Sequence, residues 1–78
     1  MKERINKVLK ETFPSISTIE IDGDWGPDNI EEWDSLNHLN MVLALDQEFN
    51  ITLEFDEVLS IEKIKDIYEL IGKKVEDE

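Results

Sequence analysis

Apolar residues recur at helical spacing in separate stretches of this chain. The first stretch places four of them at i, i+3, i+4 and i+8: Ile5, Val8, Leu9 and Phe13. This spacing gives one apolar stripe on a helix and predicts a helix over residues 2–13. Pro14 ends that helix, because proline cannot continue the helical hydrogen-bond ladder and restricts the residue before it.

A second and longer periodic stretch begins at Asp34-Ser35, two residue types that cap helix N-termini. Its apolar face runs over four turns and is widened by Met41 and Ala44, so we expect this helix to be the most buried. The residues of that face are Leu36, Leu39, Val42, Leu43, Leu45 and Phe49. Asn50 suits the position that ends the helix.

The last third of the chain predicts a short helix and then a third long one. Residues 51–53 are expected to be extended, after which Asp56 would cap a helical turn, with Phe55 as its hydrophobic staple. Ser60 would cap the final helix and Gly72 would end it. The predicted inner stripe is Ile61, Ile64, Ile67, Tyr68 and Ile71. We expect the tail over residues 75–78 to be disordered.

Residues 15–33 have no helical period and are rich in turn residues between Asp22 and Asp28. A loop of this length is more often functional than not in so small a domain. The side chains predicted to pin it to the core are Ile19, Ile21, Trp25, Ile30 and Trp33. The sequence therefore predicts one all-α domain spanning residues 1–78, with three main helices, one short helix and a long loop after helix 1.

Size and composition exclude several classes of function. A chain of 78 residues buries only about 60% of the surface that its unfolded form exposes, which leaves little room for a deep substrate cleft and argues against an enzyme. The absence of cysteine excludes a disulfide, a zinc-thiolate site and a cysteine nucleophile. There is no run of roughly 18 apolar residues for a membrane span and no signal segment, so we expect a cytoplasmic monomer.

The charge is strongly acidic and unevenly distributed. The chain has 20 acidic and 8 basic residues, a formal net charge of -12, and no lysine or arginine from Glu11 to Glu62. Such a surface repels nucleic acid and anionic membranes, because binding to either depends on cations. It would instead attract proteins that carry basic docking patches.

The segment Asp34-Ser35-Leu36 follows a long acidic loop and opens an amphipathic helix. In this position it resembles the prosthetic-group site of acyl carrier proteins. The second half of the same helix, which runs from hydrophobic to acidic residues and ends in Phe49, is also similar to that family. The resemblance covers residues 2–71 and is weakest over residues 15–33. It implies a small four-helix bundle of the acyl-carrier type.

The resemblance also implies a function. A separate phosphopantetheinyl transferase would use Mg²⁺ and coenzyme A to attach 4′-phosphopantetheine to the Ser35 hydroxyl, with Asp34 and Leu36 completing the site. Acyl groups would be carried as thioesters, loaded by a ligase or acyltransferase and used by downstream synthases, so the chain itself would not be an enzyme. A short acyl chain could withdraw between helices along the apolar face over residues 39–45.

Two departures from the family pattern affect the predicted partners. Glu32 stands where many members have glycine, followed by Trp33, which we expect to pack over the helix start. Asn37, His38 and Asn40 are neutral where fatty-acid carriers usually have carboxylates, which favours a specialised carrier for one dedicated pathway. The carboxylates expected to meet partner enzymes are Glu31, Glu32, Asp46, Glu48, Glu54, Asp56 and Glu57, together with Asp34 at the site.

Three other functions fit parts of the sequence less well. Ser35 and His38 could suggest a hydrolase, but side chains on one helix project to solvent, so we expect an exposed polar histidine. The acidic loop resembles a calcium-binding EF-hand loop, except that the position of its bidentate glutamate is Trp33. A peptidyl or aminoacyl carrier of the D-alanyl type would use the same Ser35 chemistry with other cargo. The sequence predicts no metal site.

Overall fold

The computed structural model describes residues 1–76, which are helical throughout apart from their loops and contain no strand. The elements are α1 (Lys2–Thr12), a 3-10 turn (Pro14–Ile16), α2 (Ser35–Phe49), α3 (Phe55–Ser60) and α4 (Ile64–Glu76). The predicted all-α fold, with three longer helices and one short one, is therefore confirmed. Within the described residues, none of the helices has the length and apolar character that a membrane span needs.

The first helix and its end follow the sequence closely. Ile5, Val8 and Leu9 are buried along one stripe of α1. The Phe13 amide donates to the Leu9 carbonyl oxygen at 2.8 Å, and Pro14 then opens the 3-10 turn. Because Phe13 is fully buried just after the helix ends, the chain turns over the core instead of leaving it.

The core lies on one side of α2, and this corrects the prediction of a broadly buried helix. The buried residues of α2 are Met41, Val42, Leu45 and Phe49. Three of the predicted face residues are exposed instead: Leu36 by 69%, Leu39 by 55% and Leu43 by 60%. At 100° per residue they fall on the side opposite Leu45, so α2 carries two apolar stripes and only one of them meets the core.

The short helix α3 begins one residue earlier than its predicted cap. Glu54 precedes the helix, and its amide donates to the Glu57 carboxylate at 2.8 Å, so the prediction of Asp56 as the cap is wrong. Phe55 is 67% exposed and does not act as the predicted staple. Ser60 is the last residue of α3, where its hydroxyl donates to the Glu57 carbonyl oxygen at 2.7 Å.

The last helix begins later and runs further than predicted. Asp66 accepts hydrogen bonds from the amides of Glu62 and Lys63, both at 3.0 Å, so Ser60 does not cap α4. The helix continues through Gly72, which has an ordinary helical backbone, to Glu76, so Gly72 does not end it. Residues 75 and 76 of the tail that was expected to be disordered belong to α4, and residues 77–78 lie outside the described residues. Ile64, Ile67 and Ile71 of the predicted inner stripe are buried and Tyr68 is half-buried. Ile61 is also buried, but it lies before α4, directly after α3.

The long loop is pinned by side chains and by backbone hydrogen bonds to α4. Ile30 and Trp33 are buried and Ile21 and Trp25 half-buried, as predicted, whereas Ile19 is 46% exposed and Ile16 takes a core position. The loop also satisfies amides at the start of α4, since those of Ile64 and Lys65 each donate to a loop carbonyl oxygen at 2.9 Å. At Gly26 a Cβ would lie 2.6 Å from the Glu62 carbonyl oxygen, so this close approach requires glycine.

Candidate functional site

Ser35 is the first residue of α2, directly after the capping residue. Asp34 has an extended backbone, and its carboxylate accepts a hydrogen bond from the Asn37 amide at 2.8 Å. The His38 amide donates to the Asp34 carbonyl oxygen at 2.8 Å and starts the helical ladder. Both Asp34 and Ser35 are exposed, and the Ser35 hydroxyl makes no hydrogen bond to any residue that the structure describes. The structure thus leaves this hydroxyl open to a reagent.

The backbone around Ser35 can receive a negative charge. Among residues 1–76, the Ser35 and Leu36 amides have no protein acceptor, because Asp34 serves the Asn37 amide instead. Unsatisfied first-turn amides carry the positive pole of the helix dipole and commonly bind phosphate groups. Leu36 is 69% exposed beside them and offers an apolar contact at the same helix end.

A groove of about 460 Å³ opens next to Ser35, between α2 and α3. Its walls are mainly apolar, and its lining residues are Pro27, Trp33, Asp34, Ser35, His38, Leu39, Val58 and Leu59. The predicted acyl pocket along residues 39–45 agrees with the structure only at Leu39. Leu43 is exposed and Leu45 is fully buried in the core, because the two residues lie on opposite sides of α2.

Trp33 packs over the start of α2, as predicted. Its side chain is only 4% exposed and its ring stacks on Phe13, with centroids 5.3 Å apart and planes inclined by 26°. The indole Nε1–H donates to His38 Nδ1 at 2.9 Å. The burial could be anticipated from the apolar ring next to a helix cap, but the partner of the indole N–H could not.

His38 is half-buried, which corrects the prediction of an exposed histidine. While Nδ1 faces Trp33, Nε2 lies 3.0 Å from the Val58 carbonyl oxygen on α3. Both ring nitrogens are therefore engaged, and neither is hydrogen-bonded to the Ser35 hydroxyl within the described residues. This geometry gives no support to a serine–histidine hydrolase, although His38 and Ser35 line the same groove.

Four of the seven carboxylates predicted to meet partners also have structural contacts. Glu48 pairs with Arg4 at 2.9 Å and Asp46 accepts from the Leu53 amide at 3.2 Å. Glu32 accepts from both the amide and the hydroxyl of Ser15, and this hydroxyl hydrogen bond holds the pKa of Glu32 below its ordinary value. These contacts restrict the orientation of each carboxylate.

Glu57 is the fourth engaged carboxylate. It pairs with Lys74 at 2.8 Å, and the hydrogen bond from Lys74 lowers the pKa of Glu57. The remaining three, Glu31, Glu54 and Asp56, are exposed and have no ion pair among residues 1–76. The role of all seven in partner binding stays a prediction.

The acidic loop that resembles an EF-hand loop is organised by its own hydrogen bonds. The Asp22 carboxylate accepts from the Asp24 amide at 2.9 Å, and Asp24 lies 3.3 Å from Lys65 in an exposed ion pair. In the part of the chain that the structure describes, no three acidic or histidine side chains converge as metal ligands would. The loop instead holds the start of α4.

Comparison with solved structures finds a similar fold. No family model matches the chain, and no curated protein matches it significantly. Among solved structures, a proposed acyl carrier protein from Mycobacterium tuberculosis is similar, with a TM-score of 0.80 over 91% of this chain and 93% of that chain. The two sequences are 21% identical, so this likeness shows the fold alone.

Proposed function

We propose that this protein is an acyl carrier protein that bears 4′-phosphopantetheine on the Ser35 hydroxyl. The observation that carries the proposal is the position of this hydroxyl, exposed at the first residue of α2 and bordering an apolar groove. The fold shared with a proposed acyl carrier protein supports a carrier role. Ser35 would be the covalent anchor, and enzymes elsewhere would perform the chemistry on the cargo.

The residues around Ser35 fit the prosthetic group. Its phosphodiester would lie at the positive end of α2, near the unsatisfied amides of Ser35 and Leu36. Asp34 fixes the helix start by accepting from the Asn37 amide. It would thereby help to present Ser35 to the transferase and its Mg²⁺ ion. When bound, the group supplies a thiol on which acyl groups travel as thioesters, a function that no side chain of this cysteine-free protein can perform.

The groove indicates which cargo suits the carrier. Leu39, Val58 and Leu59 border it, so an apolar acyl group attached to the arm could lie against them. A charged aminoacyl group would gain less, because burying its ammonium group against apolar walls has a desolvation cost. The apolar lining therefore favours acyl cargo over the peptidyl or aminoacyl alternative.

The partners would be a phosphopantetheinyl transferase, an acyl-loading ligase or acyltransferase, and downstream synthases in the cytoplasm. Glu31, Glu54 and Asp56 are the exposed predicted docking carboxylates without an ion pair in the described range, so they are best placed to meet basic partner surfaces. Long-range attraction of this kind increases encounter rates more than affinity and weakens with added salt. We propose that the carrier works as a monomer.

Modification of the purified protein tests the proposal. Incubation with a broad-specificity phosphopantetheinyl transferase, Mg²⁺ and coenzyme A should add one phosphopantetheine mass, and peptide mapping should place it on Ser35. Ser35→Ala should remain unmodified, whereas the matched variant Ser60→Ala, which changes an exposed serine at the end of α3, should be modified fully. Modification of Ser35→Ala, or none of the unaltered protein, would refute the site.

A further inference from the structure

Helix α3 forms one wall of the groove but has little apolar anchorage. It is six residues long and contributes no buried residue to the core. Its large apolar side chains, Phe55 and Leu59, are 67% and 68% exposed, and Val58 is only half-buried. Buried Leu53 and Ile61 flank this helix, but little of its own apolar surface is buried, so polar contacts with neighbouring helices also help to fix its position.

Among residues 1–76, two such contacts connect α3 to neighbouring helices. On one side the Glu57 carboxylate pairs with Lys74 of α4 at 2.8 Å. On the other side the Val58 carbonyl oxygen lies 3.0 Å from His38 Nε2 of α2. Only the second contact lies at the groove, where His38 and Val58 both form part of the lining.

The hydrogen-bond partners of His38 define the protonation state of its ring. The Trp33 indole N–H can only donate, so Nδ1 must accept, and the Val58 carbonyl can only accept, so Nε2 must carry the proton. The two contacts together therefore fit the Nε2–H tautomer.

We propose that His38 is a positioning residue that holds α3 against α2 and so maintains the groove beside Ser35. Buried Trp33, itself stacked on Phe13, orients the imidazole, and the imidazole donates to the Val58 carbonyl oxygen. The effect of this hydrogen-bonded link on cargo rests on the proposed function of Ser35. The hydrogen-bonded link itself does not, and it can be tested in the unmodified protein.

Nuclear magnetic resonance on the unmodified protein tests the link directly. At pH 7.5 the His38 ring nitrogens should show the Nε2–H tautomer, and amide exchange in α3 should rise roughly 2- to 10-fold in His38→Ala, the effect of one lost hydrogen bond. His38→Gln, whose amide can still donate to Val58, should retain most of the protection. Asn40→Ala, an exposed change on the same helix, should leave α3 unaltered. An Nδ1–H tautomer, or equal exchange in all four proteins, would overturn the proposal.

Cargo protection tests the link in the modified protein. With a hexanoyl thioester on the Ser35 arm, cleavage by hydroxylamine should be roughly 2- to 10-fold faster in His38→Ala than in Asn40→Ala, because the groove is open more often. Equal cleavage rates would refute the role in cargo protection. If neither the unaltered protein nor these two variants accepted the arm, the proposed function would be contradicted instead. The tautomer and exchange measurements would still test the link between His38 and Val58.

Discussion

Asp34 and Ser35 are adjacent, but the structure gives them different effects on stability. The Asp34 carboxylate caps α2 through the Asn37 amide at 2.8 Å, and removal of such a cap costs about 1 kcal/mol, within a range of about 0.5–2 kcal/mol. The Ser35 hydroxyl has no protein partner in the described residues, so Ser35→Ala should change the free energy of unfolding by less than about 0.5 kcal/mol. A chain of 78 residues has a total stability of roughly 4–12 kcal/mol, so the cap is a measurable fraction.

Urea unfolding followed by tryptophan fluorescence measures this difference, because Trp33 is buried against Phe13 and becomes exposed on unfolding. With a urea slope of about 1–3 kcal/mol per molar, Asp34→Ala should lower the midpoint by about 0.5 M. Asp34→Ser, which restores a side-chain acceptor, should recover most of that loss. The Ser35→Ala midpoint should remain within about 0.3 M of the unaltered protein.

The Ser35→Ala and Asp34→Ala variants should also differ in the modification assay. Ser35→Ala should be stable and inert, whereas Asp34→Ala should be less stable but still modified at a reduced rate, because its Ser35 hydroxyl remains while the helix start that presents it is loosened. A loss of more than about 1.5 kcal/mol in Ser35→Ala would refute this reasoning, because it would show that the hydroxyl contributes to the folded structure instead of standing open.

Three further predictions follow from individual contacts. Phe13→Ala should cost about 3–5 kcal/mol in urea unfolding, because Phe13 is fully buried against Trp33; a loss below about 1 kcal/mol would contradict that burial. Asn50 has a φ of 54°, in the left-handed region. Asn50→Gly should therefore be nearly neutral in urea unfolding, whereas Asn50→Val should cost at least about 1 kcal/mol. Equal urea midpoints for the two variants would be inconsistent with the left-handed backbone. The hydrogen bond from Lys74 lowers the pKa of Glu57 in the folded protein. The ion pair therefore contributes stability above the unfolded pKa of Glu57, and this contribution is lost as the pH falls through the folded pKa. Urea midpoints between pH 7 and pH 3 should decline less in Glu57→Gln than in the unaltered protein, and parallel declines would argue against the pair.

Much of the fold could be predicted from local physical chemistry. The stripe of Ile5, Val8 and Leu9, the stop at Pro14 and the cap at Asp34 each depend on interactions within a few residues. The left-handed Asn50 at the end of α2 is equally local. These features follow from helix periodicity and capping, which nearby sequence alone determines.

The features that could not be predicted depend on distant parts of the chain. Leu36, Leu39 and Leu43 are as apolar as Leu45, and only the arrangement of the other helices decides which stripe of α2 meets the core. Gly72 lies inside α4 with a helical backbone, although glycine often ends a helix, so its residue type alone does not determine where α4 stops.

The candidate site shows the same division. Its exposed hydroxyl and its cap could be predicted from Asp34-Ser35 alone, because both are properties of a helix start. The link from His38 to Val58 spans twenty residues and joins two helices, so no local pattern indicates it. The groove also depends on this packing, because its two walls come from separate segments.

The mass of the protein isolated from its own cells tests the central claim most directly. The account predicts a population carrying one phosphopantetheine group, with or without an acyl thioester, and fragmentation that assigns it to the peptide containing Ser35. Protein that carries no such group, from cells in which other carriers are fully modified, would contradict the claim.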